Sequence, residues 1–144
     1  MYTAAHLSLA VLEVLVHVSA ETDLPADLVA ISADLPDDLA IEHVRMEELP
    51  PDWRRTPAPP MLAERGTAWL TATRTAVLAV PSAVIPGETN YILNPAHPDF
   101  CRVIAQRAER FDLDPRLAGA RAVSPVGLPA RRAGALRRRG SIRG

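Results

Sequence analysis

Residues 4–18, AAHLSLAVLEVLVHV, contain no proline or glycine and are mostly aliphatic. An apolar stretch of this length without a helix breaker predicts a largely buried helix, with Thr3 at the N-cap position. The stretch is too short to cross a bilayer, lacks a basic leader and is interrupted by Glu13 and His17. We therefore expect a core helix inside a cytoplasmic domain that has no membrane association.

Short apolar runs, each bounded by proline or polar residues, follow this helix. The runs that predict strands are residues 28–33, 41–44, 76–80 and 91–93. Residues 61–73 have the apolar spacing of a second helix, although Gly66 weakens the pattern. Residues 99–112 fit either a helix or an edge strand. A helix followed by short strands and a second helix predicts an α+β, or mixed α/β, domain.

The charge distribution divides the chain of 144 residues into a domain and a tail. Residues 1–116 carry 17 acidic side chains and nine arginines, a balance of −8, whereas residues 117–144 carry seven arginines and no acid, a balance of +7. Because residues 118–144 lack any hydrophobic period, we expect a disordered, Arg-rich tail there. A tail that binds nucleic acid through its phosphates is an alternative.

Glu13 is the residue of the first helix that most needs an explanation. A carboxylate within an aliphatic helix is costly unless it meets a partner, solvent or a cleft. At helical spacing His6, Ala10, Glu13 and His17 form one polar stripe. The stripe fits either a solvent-facing surface or the wall of a pocket. No further acid or histidine completes a ligand set, so we predict no metal site.

Ser82 directly follows the predicted strand at residues 76–80. A hydroxyl at a strand end can face a cleft, or it can bond to its own turn backbone. It does not lie in a Gly-x-Ser-x-Gly sequence, so a hydrolase nucleophile is not indicated. Asn90 and Asn94 fit turns, and Asn94 before Pro95 is typical of a turn start.

Six segments of the chain form an ordered set of motifs. The first contains Tyr2, Glu13 and His17. The other five are residues 49–54 (LPPDWR), 66–70 (GTAWL), 80–84 (VPSAV), 88–98 (ETNYILNPAHP) and 111–117 (FDLDPRL). In this order the six segments resemble the RES domain, a family of NAD-degrading toxins from bacterial toxin–antitoxin pairs.

The resemblance implies a fold related to ADP-ribosyltransferases and cleavage of the nicotinamide–ribose bond of NAD. The family reaction is phosphorolysis, so NAD is the expected substrate, inorganic phosphate the expected co-substrate, and no resident cofactor is needed. By position, Tyr2, Glu13 and Ser82 match NAD-binding residues of the family, and Glu13 and Ser82 are the expected catalytic residues. Such a carboxylate would stabilise positive charge that develops on the ribose.

The resemblance also implies partners. An Xre-type antitoxin is expected to block the pocket, and contact with nucleic acid would then be indirect, through the antitoxin. A homodimer is left open.

The N-terminal end of this sequence differs from the family pattern. RES domains start with an arginine-bearing strand and a glycine-rich GGRWN segment, both upstream of the tyrosine that Tyr2 matches. Here Met1 immediately precedes Tyr2. We therefore expect residues 1–117 to form a partial RES domain without that strand and its pocket arginine. Two alternatives follow: an enzyme that needs the upstream segment, or a truncated remnant that binds the antitoxin without catalysis.

Overall fold

The computed structural model describes residues 1–18, 27–114 and 116–117. Two helices lie in these residues, α1 (Leu7–Leu15) and α2 (Pro60–Ala72). The strands are β1 (Tyr2–Ala4), β2 (Val29–Ala30), β3 (Ala33–Asp34), β4 (Ile41–His43), β5 (Val77–Pro81), β6 (Thr89–Leu93), β7 (Ile104–Ala105) and β8 (Glu109–Arg110). Short 3-10 turns span Met46–Glu48 and Pro98–Arg102. The mixed α/β class predicted from the sequence is confirmed.

A four-stranded sheet in the order β1-β6-β5-β4 organises the domain. Strand β6 runs antiparallel to both β1 and β5, whereas β4 and β5 are parallel. Strand β5 has the apolar sequence expected of a central strand, and its first three residues are buried. Two small antiparallel ribbons, β2 with β8 and β3 with β7, accompany the sheet.

The core on one side of this sheet is aliphatic, as the low aromatic content requires. Its buried members are Leu39, Ala76, Val77 and Leu93. Partly buried side chains packed against them are Leu35, Ile41, Tyr91, Phe100 and Val103. Full burial of a Val or Leu side chain contributes about 1.5–3 kcal/mol, so this small cluster holds β5 and β6 in place.

The first helix is shorter than the sequence predicts, because the residues before it join the sheet. Strand β1 pairs with β6, and Ala5 N donates to Thr89 O over 3.0 Å. Thr3 is therefore a strand residue, and its hydroxyl donates to Tyr91 O at 3.5 Å. The predicted Thr3 N-cap is wrong: His6 precedes the helix and makes no side-chain cap bond. Long-range pairing outweighs local helix propensity here.

The other helix and most strands lie where the sequence predicts them. Helix α2 accommodates Gly66 and ends at Thr73, whose φ of 45° places it in the left-handed conformation common at helix ends. The predicted strand at residues 28–33 divides into β2 and β3. Residues 99–112 form a 3-10 turn followed by β7 and β8.

Two further predictions concern the ends of the chain and membranes. The predicted disordered tail, residues 118–144, lies outside the described residues. No helix among the residues with described structure is long and apolar enough to cross a bilayer.

Candidate functional site

The Glu13 carboxylate lies where α1 faces the junction of β5 and β6. Its Oε1 atom accepts two side-chain hydrogen bonds, from Ser82 Oγ at 2.9 Å and from Asn90 Nδ2 at 2.6 Å. Both donors are buried, and Glu13 itself is half-buried. Hydrogen bonds to a carboxylate acceptor are stronger than those between neutral groups. The cost of a carboxylate on this helix is thus offset by two fixed donors.

Ser82 is placed by the tight loop that joins β5 to β6. Its Oγ accepts hydrogen bonds from the backbone N–H groups of Val84 and Ile85, both at 3.1 Å, and its own N–H donates to Glu88 O at 2.9 Å. Outside the loop, Arg54 Nε donates to Ala83 O at 2.8 Å. The turn alternative for Ser82 therefore holds. Its hydroxyl also contacts the Glu13 carboxylate, whereas a position facing a cleft stays a prediction.

Asn90 is the site residue that the sequence interpretation missed. It was predicted to lie in a turn, but it sits within β6, opposite Ala4 of β1 and Val80 of β5. Its side chain is fully buried, and its Oδ1 has no hydrogen-bond partner. The sequence did contain a signal for this residue, because its polar amide directly precedes a short strand that contains the apolar residues Ile92 and Leu93. Asn94, in contrast, does begin a turn, where its Oδ1 accepts from Ala96 N at 3.1 Å.

Tyr2 completes the group from the edge strand β1. Cross-strand pairing of Tyr2 with Ile92 and of Ala4 with Asn90 places the Tyr2 and Asn90 side chains on one face of the sheet. Burial, followed by the charge of Glu13 and a hydrogen bond to it, raises the pKa of Tyr2 to about 12. The phenol therefore stays protonated over the physiological range, while about half of the side chain remains exposed.

A cavity of about 620 Å³ adjoins Tyr2 and the rest of β1. Its walls are largely apolar and come from α1, β1 and residues 28–35, with Arg107 and Glu109 as charged members. Tyr2 lines the cavity, whereas Glu13 and Ser82 do not. Tyr2 therefore stands between the cavity and the carboxylate.

The fold thus brings together the three residues predicted from the sequence, although 69 positions separate Glu13 from Ser82. Their catalytic and NAD-binding roles stay predictions. The histidines of the α1 stripe do not join them: His6 Nε2 lies 3.7 Å from Glu88 Oε2, and His17 is exposed. No group of three or more His, Cys, Asp or Glu side chains that could hold a metal ion occurs in the described ranges.

The sequence matches the model of the RES domain over residues 1–114. This chain therefore belongs to the RES domain family. It is 38% identical over 123 residues to "Toxin Res" of Photorhabdus laumondii subsp. laumondii, covering 84% of this chain and 77% of that protein. It is 34% identical over 119 residues to the "Prs ADP-ribosylating toxin" of Sphingobium sp., covering 81% and 73%. A "Toxin Res" of Yersinia enterocolitica is 35% identical over 119 residues, covering 81% and 76%.

Proposed function

We propose that this protein is a RES-type toxin that degrades NAD by cleaving its nicotinamide–ribose bond. The observation that carries the proposal is the Glu13 carboxylate, held by two buried donors beside the phenol of Tyr2. When the bond breaks, its electron pair leaves with nicotinamide, and positive charge develops on the ribose carbon. A preorganised carboxylate stabilises that charge in the transition state without having to reorient.

The neutral phenol of Tyr2 suits a role in binding. It lines the cavity and interacts with Glu13, so it can contact the nicotinamide ribose from the cavity side by stacking or by a hydrogen bond. The family relationship to ADP-ribosyltransferases that the sequence suggested is part of this proposal, because those enzymes also release nicotinamide from NAD.

Inorganic phosphate is the proposed acceptor. A phosphate oxygen forms the new bond to the ribose carbon as the bond to nicotinamide breaks, so the products are nicotinamide and a phosphorylated ADP-ribose. The name of the Sphingobium relative describes ADP-ribosylation, which favours a second candidate, transfer of ADP-ribose to a protein. Both reactions release nicotinamide, and they differ only in the acceptor.

The test is nicotinamide release from NAD by the full chain, alone and with the arginine-bearing strand and GGRWN segment of a RES domain added upstream, each with and without inorganic phosphate. We expect release that requires phosphate, and we expect Glu13→Ala to lower it about 100-fold or more, as loss of one charge-stabilising group typically does. The matched control is Glu64→Ala, which removes an exposed carboxylate on α2. Equal release by the wild-type chain and Glu13→Ala would refute the proposed role of the carboxylate. Release without phosphate, together with a labelled protein, would favour ADP-ribosylation.

We further propose an Xre-type antitoxin as the partner of this chain. Around the cavity lie large apolar side chains that are about half exposed, and they suit a protein interface. These are Tyr2, Leu7, Val14, Val29 and Ile31. Co-purification of this chain with an Xre-type protein tests the proposal. We expect Ile31→Asp to weaken binding, whereas Met46→Asp, an exposed apolar position that does not line the cavity, serves as the control.

Binding and turnover together decide between the enzyme and the alternative of an inactive RES remnant. Antitoxin binding by a chain that releases no nicotinamide even with the upstream segment added would favour the remnant. Release only after that segment is added would identify an enzyme that needs it. Nicotinamide release by the wild-type chain would exclude it.

A further inference from the structure

The hydrogen-bonding capacity of the Ser82 hydroxyl is fully used. A serine hydroxyl offers one proton and two acceptor positions. The proton goes to Glu13 Oε1 at 2.9 Å, and the two acceptor positions receive the N–H groups of Val84 and Ile85 at 3.1 Å each. Ser82 is also only 1% exposed. It cannot bond to a ligand without giving up one of these three partners.

Asn90 is a second buried donor to the same carboxylate. Its Nδ2 donates to the same Glu13 oxygen, Oε1, at 2.6 Å, and the residue is fully buried. Its Oδ1 is buried without a partner. Without Glu13, an apolar residue of similar size would be the more stable choice, because it would avoid that unsatisfied acceptor. The donor to Glu13 explains the amide here.

We propose that Ser82 and Asn90 are positioning residues. They form a two-donor clamp that holds Glu13 by Oε1, leaves Oε2 without a bond from either of them, and makes no contact with NAD itself. The proposal rests on the proposed function for its chemistry, because Oε2 is then the oxygen that faces the ribose. It gives Ser82 a role different from the direct contact with substrate that the family resemblance suggests.

The clamp has a specific catalytic consequence. A glutamate side chain has several rotatable bonds, and the two hydrogen bonds to Oε1 restrict their rotation. Orientation that is already in place before the reaction lowers the barrier to bond cleavage more than it strengthens binding of the ground state. Loss of a clamp donor should therefore lower kcat and leave KM for NAD largely unchanged.

The first experiment measures nicotinamide release by Ser82→Ala and Asn90→Ala, each alone and combined with Glu13→Ala. We expect each single change to lower kcat about 10- to 100-fold, as loss of a supporting residue typically does, with less than about a twofold change in KM. In the Glu13→Ala background neither change should cause a further loss. Additive losses, or a rise in KM at unchanged kcat, would overturn the clamp, because direct contact with NAD predicts them.

Two conservative variants separate the clamp from a packing role. Asn90→Asp keeps the shape of the side chain but places a second carboxylate against Glu13, so we expect lower kcat than for Asn90→Ala. If Asn90 acted only by packing, the order would be reversed. Ser82→Thr keeps the hydroxyl and should retain more activity than Ser82→Ala. Ser82→Thr activity at or below the Ser82→Ala level would overturn the role of the Ser82 hydroxyl.

The second experiment does not depend on turnover. Thermal unfolding of the same single and double variants, without NAD, measures whether Ser82 and Asn90 are each coupled to Glu13 in the folded chain. Asn94→Ala is the matched control, because that buried amide donates to Leu70 O at 3.2 Å and should show no coupling to Glu13.

The two experiments fail in distinguishable ways. Absence of coupling in the unfolding cycles overturns the clamp whatever the activity. A chain that releases no nicotinamide even with the upstream segment added overturns the proposed function, and the unfolding cycles then still decide whether the clamp exists.

Discussion

Asn90 Nδ2 and Glu13 Oε1 lie 2.6 Å apart, although 77 positions of sequence separate the two residues. The contact joins the middle of a strand to the middle of a helix, so it fixes the position of α1 on the sheet as well as the carboxylate. Its energetic value depends on both partners being present, because a buried polar group that loses its partner keeps its desolvation cost.

This contact predicts that a single substitution destabilises the protein and that a double substitution largely restores its stability. Asn90→Leu alone removes a donor from Glu13, and we expect the free energy of unfolding to fall by about 1–3 kcal/mol. Glu13→Leu together with Asn90→Leu replaces the polar pair with apolar side chains and should restore stability to within about 1 kcal/mol of the wild type. Urea unfolding measures both. If the double variant is as unstable as Asn90→Leu, the packing at this contact, rather than its polarity, limits stability.

Tyr2 predicts a pH dependence of stability at the alkaline end. Its folded pKa is raised to about 12 from an ordinary value of 10.0. A group with a raised folded pKa contributes stability that is complete below its unfolded pKa. That contribution is lost as the pH rises from 10 through 12. The expected result is a midpoint of urea unfolding that falls over this range in the wild type, and falls less in Tyr2→Phe.

The cause of the Tyr2 shift can be tested separately by tyrosinate absorbance in a Tyr91→Phe background, where Tyr2 alone contributes. Glu13→Ala removes the second and third causes of the raised pKa, the charge and the hydrogen bond. Burial is the largest cause, so we expect the pKa of Tyr2 to fall and yet stay above its ordinary value. An unchanged pKa in Glu13→Ala would contradict the contact between these two residues.

We predict that Arg54 affects activity although it lies outside the candidate site. Its Nε donates to Ala83 O within the loop that holds Ser82. Arg54→Ala should therefore loosen the loop and lower nicotinamide release about 2- to 10-fold, the range that corresponds to one ordinary hydrogen bond. Arg55→Ala is the matched control, because the neighbouring arginine pairs with Asp52 at 3.8 Å on the surface. Equal effects of the two variants would argue against a specific role for Arg54.

Val77 predicts an effect on stability that is independent of the site. Its side chain is fully buried in the aliphatic cluster with Leu39 and Leu93. Val77→Ala should lower the free energy of unfolding by about 2–4 kcal/mol, which combines lost burial with the cavity left behind. Urea unfolding provides the measurement, and kcat per folded molecule should stay close to wild type. A loss below about 0.5 kcal/mol would show that β5 is not central to the core.

The sequence predicts those helices and strands that depend on the spacing of neighbouring residues. Helix α2 and strand β5 follow from apolar spacing and a compact apolar run, and both lie close to their predicted ranges. Strand β1 could not be predicted in this way, because its partner Tyr91 is 88 positions from Thr3. The grouping of Tyr2, Glu13 and Ser82 was predicted through the family resemblance. Asn90 was missed, because only the tertiary contact with Glu13 shows what its amide does.

Strand β6 has a consequence for when the site can exist during synthesis. Its residue Asn90 donates a hydrogen bond to the Glu13 carboxylate, and the strand also pairs with β1, which carries Tyr2. A nascent chain that has emerged only as far as β5 already contains Tyr2 and Glu13, but it has nothing to hold either in place. The candidate site of this RES-family chain can therefore form only after the last strand of its central sheet, β6, has been synthesised.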